Sequence, residues 1–242
     1  MGSDVISDVQ RVCEAAGVDE WGVAANRDWP LAPDLPFAIT LAGRHAPEAL
    51  AGIEQTHMSQ AFFDDYARLW RELDDAAAGI VAEIEARGHA AVQSSNLMTG
   101  PHDDPPVDDW GDPGVFSHKI AATQAGLGWI GKTAVYVSAR FGAAVRLTTV
   151  FTDLPLPAGV PITESRCADC RRCVDACPMN AGRDVLWTAG MPREQLYDEK
   201  ACEAKTSCEH PEWDGTCGVC QAVCPYTILS MRREPWRFRE GS

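Results

Sequence analysis

The chain has 242 residues, a formal net charge of −14 at pH 7 and ten cysteines. Its length allows one sizeable core with a small appended module, and no apolar stretch approaches the roughly 20 residues that a membrane-spanning helix needs. The negative charge is concentrated in residues 1–165, which carry −13 and therefore repel a phosphate backbone. These features argue against a membrane protein and against a general nucleic-acid-binding protein.

The first hundred residues show helical and extended patterns in alternation. An opening helix is predicted to end at Gly17. Apolar side chains recur every three or four residues from Phe62 to Ile84, which predicts a long amphipathic helix that Gly88 closes. Short buried strands are predicted over residues 21–25, 37–42 and 90–94.

The next segment, residues 99–116, is rich in proline and aspartate and is predicted to be an irregular loop. Ser117 is placed to cap a following helix. Two alternating strands are then predicted on either side of a turn at 140–142. The pattern indicates an α+β core over residues 1–158, with a separate module over 159–242.

Seven of the cysteines form two closely spaced runs in the last third of the chain. The first run has the spacing C-x2-C-x2-C-x3-C-P and the second C-x2-C-x3-C-P, which is the bacterial ferredoxin pattern for two [4Fe–4S] clusters. A disulfide scaffold is typical of a short secreted domain. It is not expected here, because the start of the chain lacks signal-peptide features. Zinc knuckles give no role to the cysteine–proline ending. The predicted cluster ligands are Cys167, Cys170, Cys173, Cys177, Cys217, Cys220 and Cys224.

The assignment of ligands follows from the crossover in such runs, in which the last cysteine binds the other cluster. One cluster is predicted to take Cys224 together with the first three cysteines of the first run. The other takes Cys177, the first two cysteines of the second run and one thiol from upstream. Both Cys202 and Cys208 qualify as that last ligand. Cys13 lies in a helical pattern and is interpreted as a buried thiol.

A glycine-rich stretch, AGLGWIGK, precedes the second half of the core. Its glycines allow the backbone to approach a large ligand, and its lysine is able to reach a phosphate or an amide. The same glycines resemble the start of a dinucleotide fingerprint, but they follow a helix and precede a strand, which is the wrong context for it. The candidate cofactor-binding residues are Gly126, Gly128, Trp129, Gly131 and Lys132.

The linear order of AGLGWIGK, FG, TDLPL and the two cysteine runs resembles the epoxyqueuosine reductases and their relatives, the reductive dehalogenases. This resemblance covers residues 110–226 well and the N-terminal hundred residues loosely. It implies a nitroreductase-like α/β core that holds cobalamin, followed by a ferredoxin-like module with two [4Fe–4S] clusters. It also favours Cys202, in its YDEKAC context, over Cys208 as the eighth ligand.

Two residues compete for the role of proton donor. The resemblance implies a catalytic aspartate thirteen residues before Ala125, which is Asp112, although an aspartate in an acidic loop is also expected to be merely solvated. His118 begins the helix that leads to the glycines and is chemically able to donate a proton near neutral pH. Its alternative interpretation is a histidine satisfied at a helix N-terminus.

Departures from the family pattern bear on the substrate. The family's asparagine after Gly-Lys is Thr133 here, and the acidic residue of its next strand is Thr149. The helical-repeat extension of the tRNA enzymes is not found after the second run. Together with the negative charge of the core, these differences make a tRNA substrate doubtful.

The sequence therefore predicts a cytoplasmic iron–sulfur reductase in which the clusters pass electrons to a corrin cobalt that reduces a small electrophilic substrate. A low-potential donor such as ferredoxin or flavodoxin is the expected electron source. Two alternatives stay open at this point. In the first, the chain is an electron-transfer protein or a reductive activator of a separate corrinoid protein. In the second, it is a reductase that holds flavin in place of cobalamin.

Overall fold

The computed structural model describes residues 2–25, 32–51, 53, 59–97, 117–202, 204 and 217–233. Asp112, Cys208 and the predicted loop at 99–116 fall outside these residues. The described helices are α1 (Gly2–Ala15), α2 (Pro47–Ala51), α3 (Gln60–Glu85), α4 (Ser94–Leu97), α5 (His118–Gln124), α6 (Arg172–Asp175), α7 (Val219–Ala222) and α8 (Pro225–Arg233), with a 3-10 turn at Arg193–Gln195. The strands are β1 (Glu20–Ala25), β2 (Phe37–Arg44), β3 (Ala91–Gln93), β4 (Gly128–Ile130), β5 (Tyr136–Ser138) and β6 (Val145–Thr152).

Four strands form an antiparallel sheet in the order β1-β2-β6-β3. Strand β6 lies inside the sheet, and its register with β2 places Thr149 directly opposite Thr40. Both strands are almost wholly buried. Because successive side chains of a strand point to opposite faces, each strand supplies residues to two separate cores.

Helices cover both faces of this sheet. Helices α1 and α3 pack on one face, where Ile39, Leu41 and Val150 join the largest apolar cluster. Helix α5 packs on the other face, against Ala38 and Phe151. The helix of the predicted apolar stripe is α3, and it begins after Ser59, whose side chain accepts a hydrogen bond from the Phe62 N–H at 3.1 Å.

The pairing of the two strands around the predicted turn differs from a simple hairpin. Strand β5 pairs with β4, which is formed by the Gly-Trp-Ile segment of the glycine-rich stretch, where the sequence predicted no strand. The turn at 140–142 is present, since Ser138 and Gly142 exchange both backbone hydrogen bonds. The long strand β6 is instead taken up by the main sheet, where it pairs with β2 along one edge and with β3 along the other.

The two cysteine runs fold in the same way. Each places a short helix around its next-to-last cysteine, with Cys173 in α6 and Cys220 in α7, and the two helices contact one another. The module is attached to the core by α8. There the Ala143 N–H donates to the Thr227 hydroxyl at 2.9 Å and the Ser230 hydroxyl donates to the Phe141 carbonyl at 3.0 Å. The domain boundary at residue 158 stays a prediction.

Among the described residues, none of the helices combines the length and apolar character needed to cross a bilayer. The described elements combine helices with a β-sheet, in agreement with the predicted α+β class.

Cys13, which belongs to neither cysteine run, provides a first prediction. It is 1% exposed within the core formed by α1 and α3, and burial raises the pKa of its thiol to about 12. Cys13 is enclosed by apolar side chains of this core and is not among the thiols that interact with Cys173 or Cys220, so it is not placed to ligate iron. Cys13→Ser is expected to leave the iron content per chain unchanged while lowering the melting temperature, because a buried hydroxyl without a partner costs about 1–3 kcal/mol. Loss of iron in this variant would contradict the ligand assignment.

Candidate functional site

The cysteines of the module separate into two groups by their electrostatic neighbours. The Cys173 thiol interacts with three others, Cys167, Cys170 and Cys224, which together make the first thiol set. The Cys220 thiol interacts with Cys173 itself and with two further thiols. The second thiol set therefore comprises Cys177, Cys202 and Cys220.

Desolvation is the largest electrostatic effect at Cys173, Cys220 and Cys224, of which the first two are partly buried and the third is buried. It raises the pKa of Cys173 to about 11 and raises the pKa of Cys220 further. Hydrogen-bond donors oppose this effect at Cys224, where the backbone of Thr227 and Tyr226 lowers the pKa. Separately, the Ala181 N–H donates to the Cys177 sulfur over 3.3 Å. Low solvent exposure with donors aimed at sulfur is the environment in which proteins adjust the potential of iron–sulfur clusters.

Among the described residues, none of the cysteines forms a disulfide, and no three cysteine, histidine, aspartate or glutamate side chains form a site for a single metal ion.

Hairpin β4–β5 is the part of the core that contacts the first thiol set. The Trp129 indole N–H donates to the Cys167 sulfur at 3.4 Å, and the Trp129 ring meets the ring of Tyr226 edge to face at 4.9 Å. Trp129 is only 1% exposed. This tryptophan, predicted to bind the large cofactor, therefore joins the core to the cysteine module.

Lys132 makes a second connection of the same kind. Its side chain is 6% exposed, and its ammonium group lies 2.7 Å from the Asp184 carboxylate. Hydrogen bonding to Lys132 lowers the pKa of Asp184. Arg171 pairs with the same carboxylate. Because Lys132 is engaged within the chain, its predicted contact with a cofactor stays a prediction.

Cys202 is held beside Cys177 by a short backbone ladder. The Asp198 N–H donates to the Ala181 carbonyl at 2.8 Å, and the Cys202 N–H donates to the Asp198 carbonyl at 3.1 Å. The Asp198 carboxylate also accepts the Ala201 N–H. The segment that carries Cys202 is thus tied to the residues that follow Cys177, and its rival Cys208 lies outside the described residues.

Close packing of the chain explains why glycine is needed at two positions of the AGLGWIGK stretch. A Cβ at Gly126 would lie 2.5 Å from the Val160 carbonyl oxygen, and one at Gly128 would lie 2.1 Å from that of Val137. At Gly131 the nearest atom, the Val135 carbonyl oxygen, is 3.3 Å away. The close approaches are to the chain itself, and the predicted role of these glycines toward a cofactor stays untested.

Gly128 therefore gives a prediction that needs no cofactor. Gly128→Ala forces a side chain into the β5 backbone, and we expect a loss of at least the 1–3 kcal/mol that is roughly typical of overpacking, measured by thermal unfolding of the cofactor-free protein. Gly131→Ala in the same hairpin is the matched control, with an expected loss of about 1 kcal/mol or less. Equal melting temperatures for the two variants would refute this account.

The predicted proton donor His118 lies on the α5 face of the sheet. Its Nδ1 atom is 2.9 Å from the Thr149 hydroxyl, which is the position where the family pattern has an acidic residue. Ser117 precedes α5 as predicted, but its side chain makes no capping hydrogen bond. Asp112, the other candidate, lies outside the described residues.

Thr149 belongs to a line of buried hydroxyls that the sequence did not single out. Thr40 pairs with it across β2 and β6, and Ser94 follows β3 at the end nearest to it. All three residues are at most 1% exposed, and we call them the hydroxyl row. The Thr40 and Ser94 hydroxyls have no hydrogen-bond partner in the part of the chain that the structure describes. Such groups are costly unless something satisfies them.

Comparison with curated proteins finds reductases. An epoxyqueuosine reductase from Gloeobacter violaceus is 33% identical over 150 residues, covering 52% of this chain and 44% of the relative. The tetrachloroethene reductive dehalogenase of Sulfurospirillum multivorans is 35% identical over 126 residues, covering 47% of this chain and 24% of that protein. The matched region thus spans less than half of either relative. No protein-family model matches the chain.

Solved structures of the same two classes share the fold. A catabolic reductive dehalogenase in complex with 3-bromo-4-hydroxybenzoic acid has a TM-score of 0.67 and 17% identity, covering 93% of this chain and 32% of its own. A reductive dehalogenase described with a mechanism for B12-dependent dehalogenation also has a TM-score of 0.67, at 18% identity and the same coverage. An epoxyqueuosine reductase with an epoxyqueuosine-modified tRNA stem loop has a TM-score of 0.58 and 16% identity, covering 94% of this chain and 66% of its own.

At these identities the structural likeness concerns the fold alone, and the curated relatives supply the likeness in sequence. The chain resembles epoxyqueuosine reductases and reductive dehalogenases in both respects, which confirms the resemblance predicted from the order of its motifs.

Proposed function

We propose that the chain is an oxidoreductase in which a C-terminal ferredoxin-like module with two [4Fe–4S] clusters supplies electrons to a corrinoid held by a nitroreductase-like core. These groups, when bound, supply one-electron transfer and a strongly reducing cobalt centre. A small electrophilic molecule is the substrate, and a low-potential protein such as ferredoxin or flavodoxin is the electron donor. A cytoplasmic location is part of the proposal, because the many thiols need a reducing compartment.

The observation that carries this proposal is the contact between hairpin β4–β5 and the two thiol sets. Trp129 donates to the Cys167 sulfur, and the Thr133 side chain, three residues before β5, interacts with Cys173 and Cys220. The thiols supply the soft ligands that iron–sulfur clusters require. A single element of the core thereby reaches both sets, as expected if electrons enter the core there.

The residues on the α5 face of the sheet suit a large polar cofactor or its substrate. The Thr40 and Ser94 hydroxyls are buried and without a partner among the described residues, so a polar group of a ligand that reached this face would satisfy them. His118, oriented by Thr149, is placed on the same face and is able to hold or deliver a proton. This chain's contribution is therefore to exclude water, orient the ligand and manage one proton.

The names of the relatives support the reductase class, and one structural relative is described as B12-dependent. The flavin alternative receives no support from them. The expectation against a tRNA substrate rests on the negative charge of residues 1–165, and it stays a prediction, because one of the structural relatives was solved with a tRNA stem loop.

Anaerobic reconstitution tests the proposal. The purified chain is loaded with iron and sulfide, mixed separately with hydroxocobalamin and with FMN, and passed through gel filtration before visible spectra are recorded. We expect iron–sulfur absorption and co-eluting cobalamin. A protein that holds both clusters but binds neither cofactor would favour the electron-transfer or activator alternative, and retained FMN would favour the flavoprotein. Zinc in place of iron would refute the proposal.

A further inference from the structure

The turn between β4 and β5 extends from the core to the cysteine module. It is closed by the Gly131 N–H, which donates to the Val135 carbonyl at 2.8 Å, and by the Ala134 N–H, which donates to the Gly131 carbonyl at 3.0 Å. Ala134 adopts a φ of 55°, a left-handed conformation that few non-glycine residues take. The turn is thus tightly folded, and it fixes the backbone of Thr133, the residue at its centre.

The side chain of Thr133 is fixed as well. Its methyl group packs so closely on Gly182 that a Cβ there would lie 2.9 Å from the Thr133 Cγ2 atom, and Val174 closes the same contact. Lys132, the preceding residue, is tied to Asp184 over 2.7 Å. A β-branched side chain with its methyl group held in one place has a single χ1 rotamer, so the direction of its hydroxyl is also determined.

That hydroxyl has an unusual environment. Its oxygen is buried, and no partner in the described part of the chain lies within normal hydrogen-bonding distance. The groups that its side chain affects are the thiols of Cys173 and Cys220, whose pKa values it lowers against the effect of desolvation. The shared contact of Thr133 and Val174 on Gly182 places this side chain next to Cys173. These two cysteines belong to different thiol sets, so Thr133 stands between the two predicted cluster sites.

We propose that Thr133 is a positioning residue shared by the two iron–sulfur sites, its hydroxyl proton stabilising whichever neighbouring sulfur, that of Cys173 or of Cys220, carries more negative charge. This inference rests on the proposed function, because it requires that both thiol sets bind clusters. A hydroxyl has one proton to donate, so it serves one sulfur at a time. With clusters bound, reduction of either one would place more negative charge on its cysteine sulfurs, and the Thr133 hydroxyl would direct its proton to the more charged sulfur.

The inference predicts the direction of the change in reduction potential. Hydrogen bonds to cluster sulfurs stabilise the reduced form and are a recognised determinant of cluster potentials. Removing the hydroxyl is therefore expected to make both potentials more negative. A tenfold change in the equilibrium constant for a one-electron reduction corresponds to about 59 mV, and we expect a shift of about this size at each site.

Three variants test the inference by anaerobic redox titration followed by electron paramagnetic resonance. Thr133→Val keeps the shape of the side chain and removes the hydroxyl, so both potentials are expected to fall with unchanged iron content. Thr133→Ser keeps the hydroxyl and is the matched control, with potentials close to those of the unaltered protein. Thr133→Asn supplies two N–H donors and is expected to raise both potentials.

The outcomes separate the inference from the proposed function. If the unaltered chain assembles no clusters, the proposed function fails. If it assembles both and Thr133→Val shifts neither potential, or only one, the shared role is wrong. Loss of iron in Thr133→Val with normal iron in Thr133→Ser would also overturn it, since the hydroxyl would then be needed for assembly.

Discussion

Cys202→Ala is expected to lower the iron content of the reconstituted protein from about eight to about four atoms per chain, because one of two four-iron clusters loses a ligand. Cys202 lies in the second thiol set with Cys177 and Cys220. The ladder from Ala181 through Asp198 holds it there, and its own N–H completes the connection. Cys202 therefore supplies the one ligand of the second cluster that the sequence predicted to come from upstream of the second run.

Cys208→Ala is the matched comparison, and we expect it to leave the iron content unchanged. Iron and acid-labile sulfide are measured together with the electron paramagnetic resonance signal of the reduced protein, which distinguishes the loss of one cluster from weaker loading of both. Half the iron in Cys208→Ala with full iron in Cys202→Ala would reverse the choice of eighth ligand.

Local patterns predicted much of the fold. The apolar stripe from Phe62 to Ile84 corresponds to α3, since a helix packed on a sheet needs one continuous apolar face. The alternation in β6 was equally informative. What the pattern did not predict was the partner of each strand, because pairing depends on contacts between distant residues. Strand β4 was missed since a run containing Gly128 reads as a turn.

The candidate site was predicted unevenly for a similar reason. The spacing of the cysteines indicated the metal-binding chemistry, because ligands of one cluster are close in sequence. The contact of Trp129 with Cys167 joins residues that are distant in the chain, and no local signal predicts it. Thr40 and Thr149 are individually unremarkable strand residues. Only the register of β2 with β6 brings their hydroxyls side by side.

The arrangement around His118 links the hydroxyl row to proton transfer. A donor must be held at a fixed orientation relative to the reacting atom. Thr149 provides this through its hydroxyl, 2.9 Å from the His118 Nδ1 atom. Thr149 is completely buried, so water does not compete for this hydrogen bond. We therefore expect Thr149 to be a positioning residue if His118 is the donor.

The choice between the two candidate donors is decided by His118→Gln and Asp112→Asn. Whichever residue is the general acid, its substitution is expected to lower turnover by about 10²–10⁴ while the visible spectrum shows cobalamin still bound, and the other substitution is expected to have a much smaller effect. Turnover is measured as reoxidation of the reduced, fully reconstituted protein by a small electrophilic test compound, followed in the visible spectrum. Equal losses in both variants would contradict a single donor.

Thr149→Val completes the test, because it removes the hydroxyl that orients His118 and leaves the imidazole in place. If His118 is the donor, this variant is expected to lower turnover by about tenfold, the effect of one lost hydrogen bond of roughly 1.4 kcal/mol, and to change the pH profile of turnover. Thr148→Val is the matched control, since Thr148 lies next to it on the opposite face of β6, across from Leu41, and is expected to keep full activity. A loss of turnover in Thr148→Val equal to that in Thr149→Val would show that strand packing, and not the orientation of His118, accounts for the effect.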